Sequence, residues 1–199
     1  RQKEIEKLSF KEQYLRGLCE LAHIEDCVEQ WQHRAEQDIG LTEYLGLTGE
    51  EHKTFLCGGR DALAALLEPQ RRKQRFVLYQ LQLDEENAIP FAFKDITALK
   101  AAGYEQPPAA MYYVAGSGEI YCPAEESDDA LLKRLFADCR ERLPEGCRGR
   151  PMAISDVVEL NHGTKRAYYY VSGQDQFRQV KFSPMLAKKE IPEKTQERF

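Results

Sequence analysis

Apolar side chains recur at three- and four-residue steps through Tyr14, Leu15, Leu18, Leu21, Ala22, Val28 and Trp31, with charged residues between them. That is the helical period. It predicts helix over residues 9–38, either continuous or broken near His23. Ser9 with Glu12 three positions on forms a capping-box pair at its start, and Gly40 suits a left-handed end cap. Residues 41–67 predict short helices in series. The first ends on Gly46. The second is opened by Thr48 and Glu51 and stopped by Gly58-Gly59. The third is capped by Asp61 and ended by Pro69.

Beyond residue 75 the period changes. Tyr79, Leu81 and Leu83 alternate with glutamines and predict a strand over 76–83. Asp95 caps a short helix that Gly103 closes. Pro107-Pro108 precludes helix before a strand at 111–114, and Ala115-Gly116-Ser117-Gly118 predicts a turn. Ser127 opens an amphipathic helix whose apolar face is Ala130, Leu131, Leu132, Leu135 and Phe136; acids stand at its start and bases in its later turns. The best strand pattern is 149–160. Asn161-His162-Gly163 then turns the chain into a hairpin partner at 167–171, and 177–182 adds a further strand. The expected fold is α+β. It has a helical N-terminal region (1–70), a basic linker (71–75), a mixed domain (76–186) built on a mainly antiparallel sheet with one or two packed helices, and a charged tail (187–199).

Composition narrows this picture. The 199 residues are 42% hydrophobic and 31% charged, and no apolar run approaches the roughly 20 residues of a membrane span. The six cysteines are irregularly spaced, and a chain of this length has no need of disulfide staples, so reduced thiols and a cytoplasmic location are expected. Residues 1–70 carry 8 basic and 14 acidic side chains; residues 71–199 carry 20 and 19. An acidic N-terminal half opposes phosphate binding there and suits a basic protein partner. The segment 41–48 resembles the helix-turn of small DNA-binding domains, but Gly49-Glu50-Glu51-His52 would set like charge against phosphate.

No catalytic or metal constellation emerges. His52 and Cys57 are five apart and face different ways on a helix. His23 and Cys27 share a face, yet no second tight pair accompanies them. No cofactor is expected. Asp156 interrupts the apolar alternation of Met152, Ile154, Val158 and Leu160. Three readings stand open: turned outward by a bulge or strand start, buried and accepting from backbone N–H groups or Arg150, or lining a functional pocket. Tyrosines are dense in the strands, and alternation turns half of them outward. Asp156, Tyr168 and Tyr170, with Arg71, Arg72 and Lys73 of the basic run, are therefore the candidate partner-binding residues.

Leu78-Tyr79-Gln80-Leu81, then Phe91 and Phe93, and Tyr113-Val114 ahead of the 131–136 helix form one set of marks. The run Arg148-Gly149-Arg150-Pro151-Met152-Ala153-Ile154-Ser155-Asp156-Val157-Val158, followed by Tyr169-Tyr170-Val171, is the clearest. On these residues, 75–182 resembles the YodL-like domain of Firmicutes. The resemblance implies an accessory module of conjugative and other mobile elements, and no established activity. The expected function is a non-enzymatic protein-interaction module, an inhibitor of a host defence nuclease (anti-CRISPR or anti-restriction). The alternative is a nucleic-acid-binding accessory protein using the basic linker and the strand tyrosines. No membrane partner is expected.

Overall fold

The helical pattern of the first seventy residues resolves into short helices rather than one long one. They are α1 (Phe10–Leu15), α2 (His23–Gln32), α3 (Leu41–Leu45) and α4 (Gly49–Leu67). A computed structural model describes residues 7–34, 38–84 and 86–189. Within it the chain divides into two compact units, 1–73 with 120–126, and 74–119 with 127–199.

In the first unit, local chemistry sets the helix boundaries. Ser9 and Glu12 close a reciprocal capping box on α1, and Thr48 and Glu51 close another on α4. The break after α1 falls at Gly17, whose φ of 67° leaves the helix and whose missing Cβ leaves room for the Tyr121 ring. Gly46 caps α3 in the left-handed region. Gly40 does not end a long helix as expected; α2 stops at Gln32, and Gly40 instead precedes α3. The two helices expected on either side of Gly58-Gly59 are there: within the span of α4 the backbone leaves the helix at Gly59 (φ 69°, ψ −161°), and the kink separates the two runs. Phe10, Tyr14, Ile24, Leu45, Leu63 and Leu67 are the centre of this unit's core.

A buried carboxylate ties these helices together. Glu51 accepts from Lys11 Nζ (2.8 Å), Gln70 Nε2 (2.7 Å) and the Thr48 backbone N–H (2.8 Å). Burial pushes its carboxyl up, but the bonds from Gln70, Lys11 and Thr48 outweigh that and hold it below the usual carboxylate range. A depressed folded-state pKa adds stability above the unfolded value, and that stability is lost as pH falls through the folded one. Glu51→Gln keeps the capping box, since glutamine serves at that position, but removes the titration. Acid unfolding below about pH 4.5 should therefore flatten in Glu51→Gln when helicity is followed against pH; an unchanged profile would remove Glu51 as the cause.

The second unit holds most of a five-stranded sheet, in the order β2-β1-β3-β4-β5; residues 71–73 of β1 and 120–123 of β2 are counted with the first unit. Its strands are β1 (Arg71–Leu81), β2 (Tyr112–Pro123), β3 (Val157–His162), β4 (Lys165–Gly173) and β5 (Gln176–Val180). The pairs β1–β3, β3–β4 and β4–β5 are antiparallel. The helices are α5 (Ile96–Ala101), capped by Asp95, and α6 (Asp128–Cys139), capped by Ser127. The α+β expectation holds, and so does the β3–β4 hairpin.

Alternation sorts the sheet's side chains. Tyr79, Leu81, Val157 and Tyr170 face a core completed by Phe91, Leu99, Tyr112 and Phe182. The opposite face meets α6, where Tyr169 donates its hydroxyl to Asp128 (2.6 Å) and Phe136 meets Phe177 edge-on. Four expected boundaries change. The basic run 71–75 is not a linker but the first half of β1, with Arg75 in register with Asn161 and Gln74 Nε2 donating to Asn161 O (2.7 Å). The Gly-Ser-Gly segment is not a turn but mid-strand in β2. A Cβ on Gly116 would lie 2.7 Å from the Cys147 Cα, and one on Gly118 would lie 2.8 Å from the Phe76 ring, so these glycines admit close neighbours. The strand expected from 149 begins only at Val157. The tail expected from 187 starts with Ala187 buried, and Lys188 bridges to Tyr113 in parallel; residues 190–199 lie outside the described residues. All six cysteines are free.

Candidate functional site

The segment between Gly149 and Val157 reaches the sheet through a knot of polar side chains. Asp156 is 0% exposed. Its carboxylate takes both ends of the Arg150 guanidinium: Nη2 on Oδ1, and Nη1 on Oδ2 at 3.0 Å. Oδ2 also accepts from the Ala153 backbone N–H (2.9 Å) and from Gln80 Nε2 (3.2 Å). Gln80 is the hinge of the network. Its Nε2 also donates to Arg150 O (2.8 Å), and its Oε1 accepts from Arg150 N (3.1 Å) and the Tyr113 hydroxyl (3.1 Å). Gly149 has to be a glycine here. Its φ is 130°, and an added Cβ would meet Gln80 Oε1 at 2.4 Å.

The electrostatics follow from this packing. Burial opposes the charge on Arg150, but Asp156 beside it holds its proton more firmly. Burial pushes the Asp156 carboxyl up against the pull of Arg150, Ala153 and Gln80. Burial also raises the Tyr113 phenol to about 12. Each Asp156 oxygen and both Gln80 polar atoms are engaged. Within the knot, Arg150 Nε is buried without a hydrogen-bond partner among the described residues. The pair is structural in its geometry: a bidentate arginine and two further donors satisfy a carboxylate that has no surface.

Two non-glycine residues in the left-handed region flank this knot, Ser155 (φ 78°) and Phe93 (φ 58°). They are joined, since Phe93 N donates to Ser155 Oγ (3.1 Å). Ser155 is fixed further by Tyr112, whose hydroxyl donates to Ser155 O (2.9 Å), and by its own N–H to Val171 O (2.9 Å). The Arg150 guanidinium lies 4.9 Å from the Phe93 ring centre. Phe93 itself is 47% exposed. Together with Phe136, Met152 and Ile154 it lines a cavity of about 390 Å³, where Arg140 and Glu141 supply charge.

Residues 75–182, just over half of the chain, match the family model described as the YodL-like domain. The chain belongs to that family. No curated protein and no solved structure matches it significantly. The run that carried the resemblance, 148–158, is the segment that forms the buried knot of the YodL-like domain.

The candidate residues fall in different settings. Asp156 offers no surface for direct contact; of the three readings, the buried carboxylate accepting from a backbone N–H and from Arg150 is the one observed. Tyr170 is buried and donates its hydroxyl to Lys94 O (2.9 Å). Tyr168 is half-buried, with its ring 5.7 Å from that of Phe182. Arg71, Arg72 and Lys73 lie in the first unit. The Arg71 guanidinium sits over both Tyr14 (4.2 Å) and Tyr121 (4.4 Å) and pairs with Glu68 (2.6 Å). Arg72 donates to Glu126 O (2.9 Å), and Lys73 Nζ is 5.7 Å from the Tyr121 ring centre.

Gln80, Ser155 and Phe93 were not among the candidates. Gln80 had a signal: it interrupts the Phe76, Leu78 alternation on one face of β1 as Asp156 interrupts its own. Phe93 had none, because its exposure depends on the backbone bond to Ser155. Among the described residues, no group of three His, Cys, Asp or Glu side chains is placed to hold a metal ion, and no helix is long and apolar enough to cross a membrane.

Proposed function

We propose that this protein is a non-enzymatic protein-interaction module of a bacterial mobile element, acting as a stoichiometric inhibitor of a host defence nuclease of the CRISPR or restriction type. One observation carries the interaction reading. The densest polar cluster of the YodL-like domain closes on itself, while the surface beside it presents an exposed aromatic, Phe93, over an apolar cavity. Reaction chemistry needs polar groups that face a substrate. Partner binding needs rigid aromatic anchors beside a pocket, and the strained backbone at Phe93 is held by Ser155 in that form. The nuclease and mobile-element parts rest on the family's usual context. The acidic N-terminal half, which suits a basic protein surface, supports them.

The test is a titration of purified host effector nucleases against the full chain. Loss of cleavage that saturates near one equivalent, with a complex of matching mass, is expected for at least one effector. Unchanged cleavage at tenfold excess across the panel would sink the inhibitor reading. The nucleic-acid alternative draws less from the basic run, since Arg71 and Arg72 are already engaged within the first unit.

A further inference from the structure

The two edges of the sheet are treated differently. At the β2 edge the chain covers itself: Lys188 N donates to Tyr112 O and Val114 N donates to Lys188 O, both at 2.9 Å. The β5 edge has no such cover among the described residues.

Which groups it leaves open follows from register. Val171 of β4 donates its N–H to Asp156 O and accepts from Ser155 N on its own carbonyl. Its backbone groups therefore face β3. Neighbouring residues along a strand direct theirs to opposite sides, so Tyr168 and Tyr170 face β5. They stand opposite Val180 and Arg178. The N–H and C=O groups of Phe177 and Gln179 are thus directed away from the sheet. The next N–H in that phase, Lys181, is taken by Gln106 Oε1 (2.7 Å), which marks where the open stretch ends.

We propose that β5 is the docking strand for a partner protein, which adds an extended segment to the sheet through the main-chain groups of Phe177 and Gln179. This rests on the protein-interaction reading and names how the partner is held. The chemistry of the segment follows from the two faces of β5. Arg178 is exposed with no side-chain partner among the described residues, and Lys181 is exposed beyond it. Phe177 on the other face is half-buried against Phe136. The matching segment alternates acidic side chains, opposite Arg178, with apolar ones, opposite Phe177. A strand of only five residues carrying an unpaired arginine discourages pairing with neutral or basic strands, so charge selects the occupant.

The probe is an eight-residue peptide alternating valine and glutamate, added to the isotope-labelled full chain at low salt. Amide exchange at Phe177 and Gln179 should slow at least tenfold, while Arg178 and Val180, already bonded to β4, should not change. The same peptide with lysine in place of glutamate should bind at least tenfold more weakly. Gln179→Pro, which deletes one of the two open N–H groups, should abolish the protection with the rest of the amide spectrum retained. Should Gln179→Pro unfold, an N-methylated form of the peptide tests the same bonds from the other side. No slowing at millimolar peptide, or slowing that grows with protein concentration in the absence of peptide, overturns the proposal; the second result would make the occupant another copy of this chain. A nuclease complex that forms equally well with Gln179→Pro overturns the edge alone, whereas absence of any complex overturns the interaction reading beneath it.

Discussion

Asp156→Asn is expected to destabilise the second unit by about 3–5 kcal/mol, because it leaves the Arg150 guanidinium buried without its counter-charge. The substitution keeps the shape of the side chain, so the loss is electrostatic rather than a cavity. It also exchanges an acceptor for a donor at one oxygen: at the Oδ1 position the new amide faces Arg150 Nη2, and at the Oδ2 position it faces Arg150 Nη1, Ala153 N and Gln80 Nε2, so at least one donor is left with nothing to receive its hydrogen. Urea unfolding followed by tyrosine fluorescence measures the loss. The companion double variant, Arg150→Met with Asp156→Leu, removes both charges together and should recover most of it, since apolar replacement of a buried pair is often neutral. A double variant as unstable as Asp156→Asn would show that Gln80 and the 149–156 backbone depend on the charges themselves. If either variant folds yet loses its partner, the knot's task is to shape the adjoining surface, because Asp156 cannot touch a partner directly.

How far such a site can be read in advance depends on the range of the interactions that make it. Ser9 with Glu12, Thr48 with Glu51, and Ser127 ahead of α6 were legible because a cap is decided within four residues. Arg150 was foreseen as a partner for Asp156 for the same reason, lying six positions away. Gln80 was not, since 76 residues separate it from Asp156 and only the sheet brings them together. The glycines of β2 show the opposite failure. Gly116 and Gly118 carry the marks of a turn, yet what they provide is clearance for Cys147 and Phe76, residues distant in sequence. The basic run 71–75 misled in a third way. Its composition marks a linker, but the backbone beneath the charges belongs to β1, whose register with β3 begins at Arg75 opposite Asn161. The strand at 149–160 was half right: it is real from Val157, where residues 157–160 are buried on both faces, and the knot at Ser155 and Asp156 is where it breaks.

Phe182→Ala is expected to destabilise the second unit by about 3–5 kcal/mol, as large-to-small changes at buried aromatics do. The ring stands where three tyrosines converge, 4.8 Å from Tyr79, 5.5 Å from Tyr112 and 5.7 Å from Tyr168. Each contact adds an aromatic term beyond plain burial. Tyr79 shows how dry this corner is. Burial and its hydrogen bond to Glu159 (2.7 Å) push its phenol well above the ordinary value. Removing the ring admits water to Tyr168 first, because that tyrosine is already half-exposed. Phe182→Leu should lose only part of the stability, since it keeps the apolar cover but not the edge contacts. The measurement is urea unfolding combined with alkaline titration of tyrosine absorbance. In Phe182→Ala at least one tyrosine should ionise at lower pH than in the parent chain, while in Phe182→Leu the titration should stay close to that of the parent. Equal losses for the two variants would mean that the tyrosine ring contacts contribute little, and that apolar cover over the β1–β3–β4 face is the whole of what Phe182 provides.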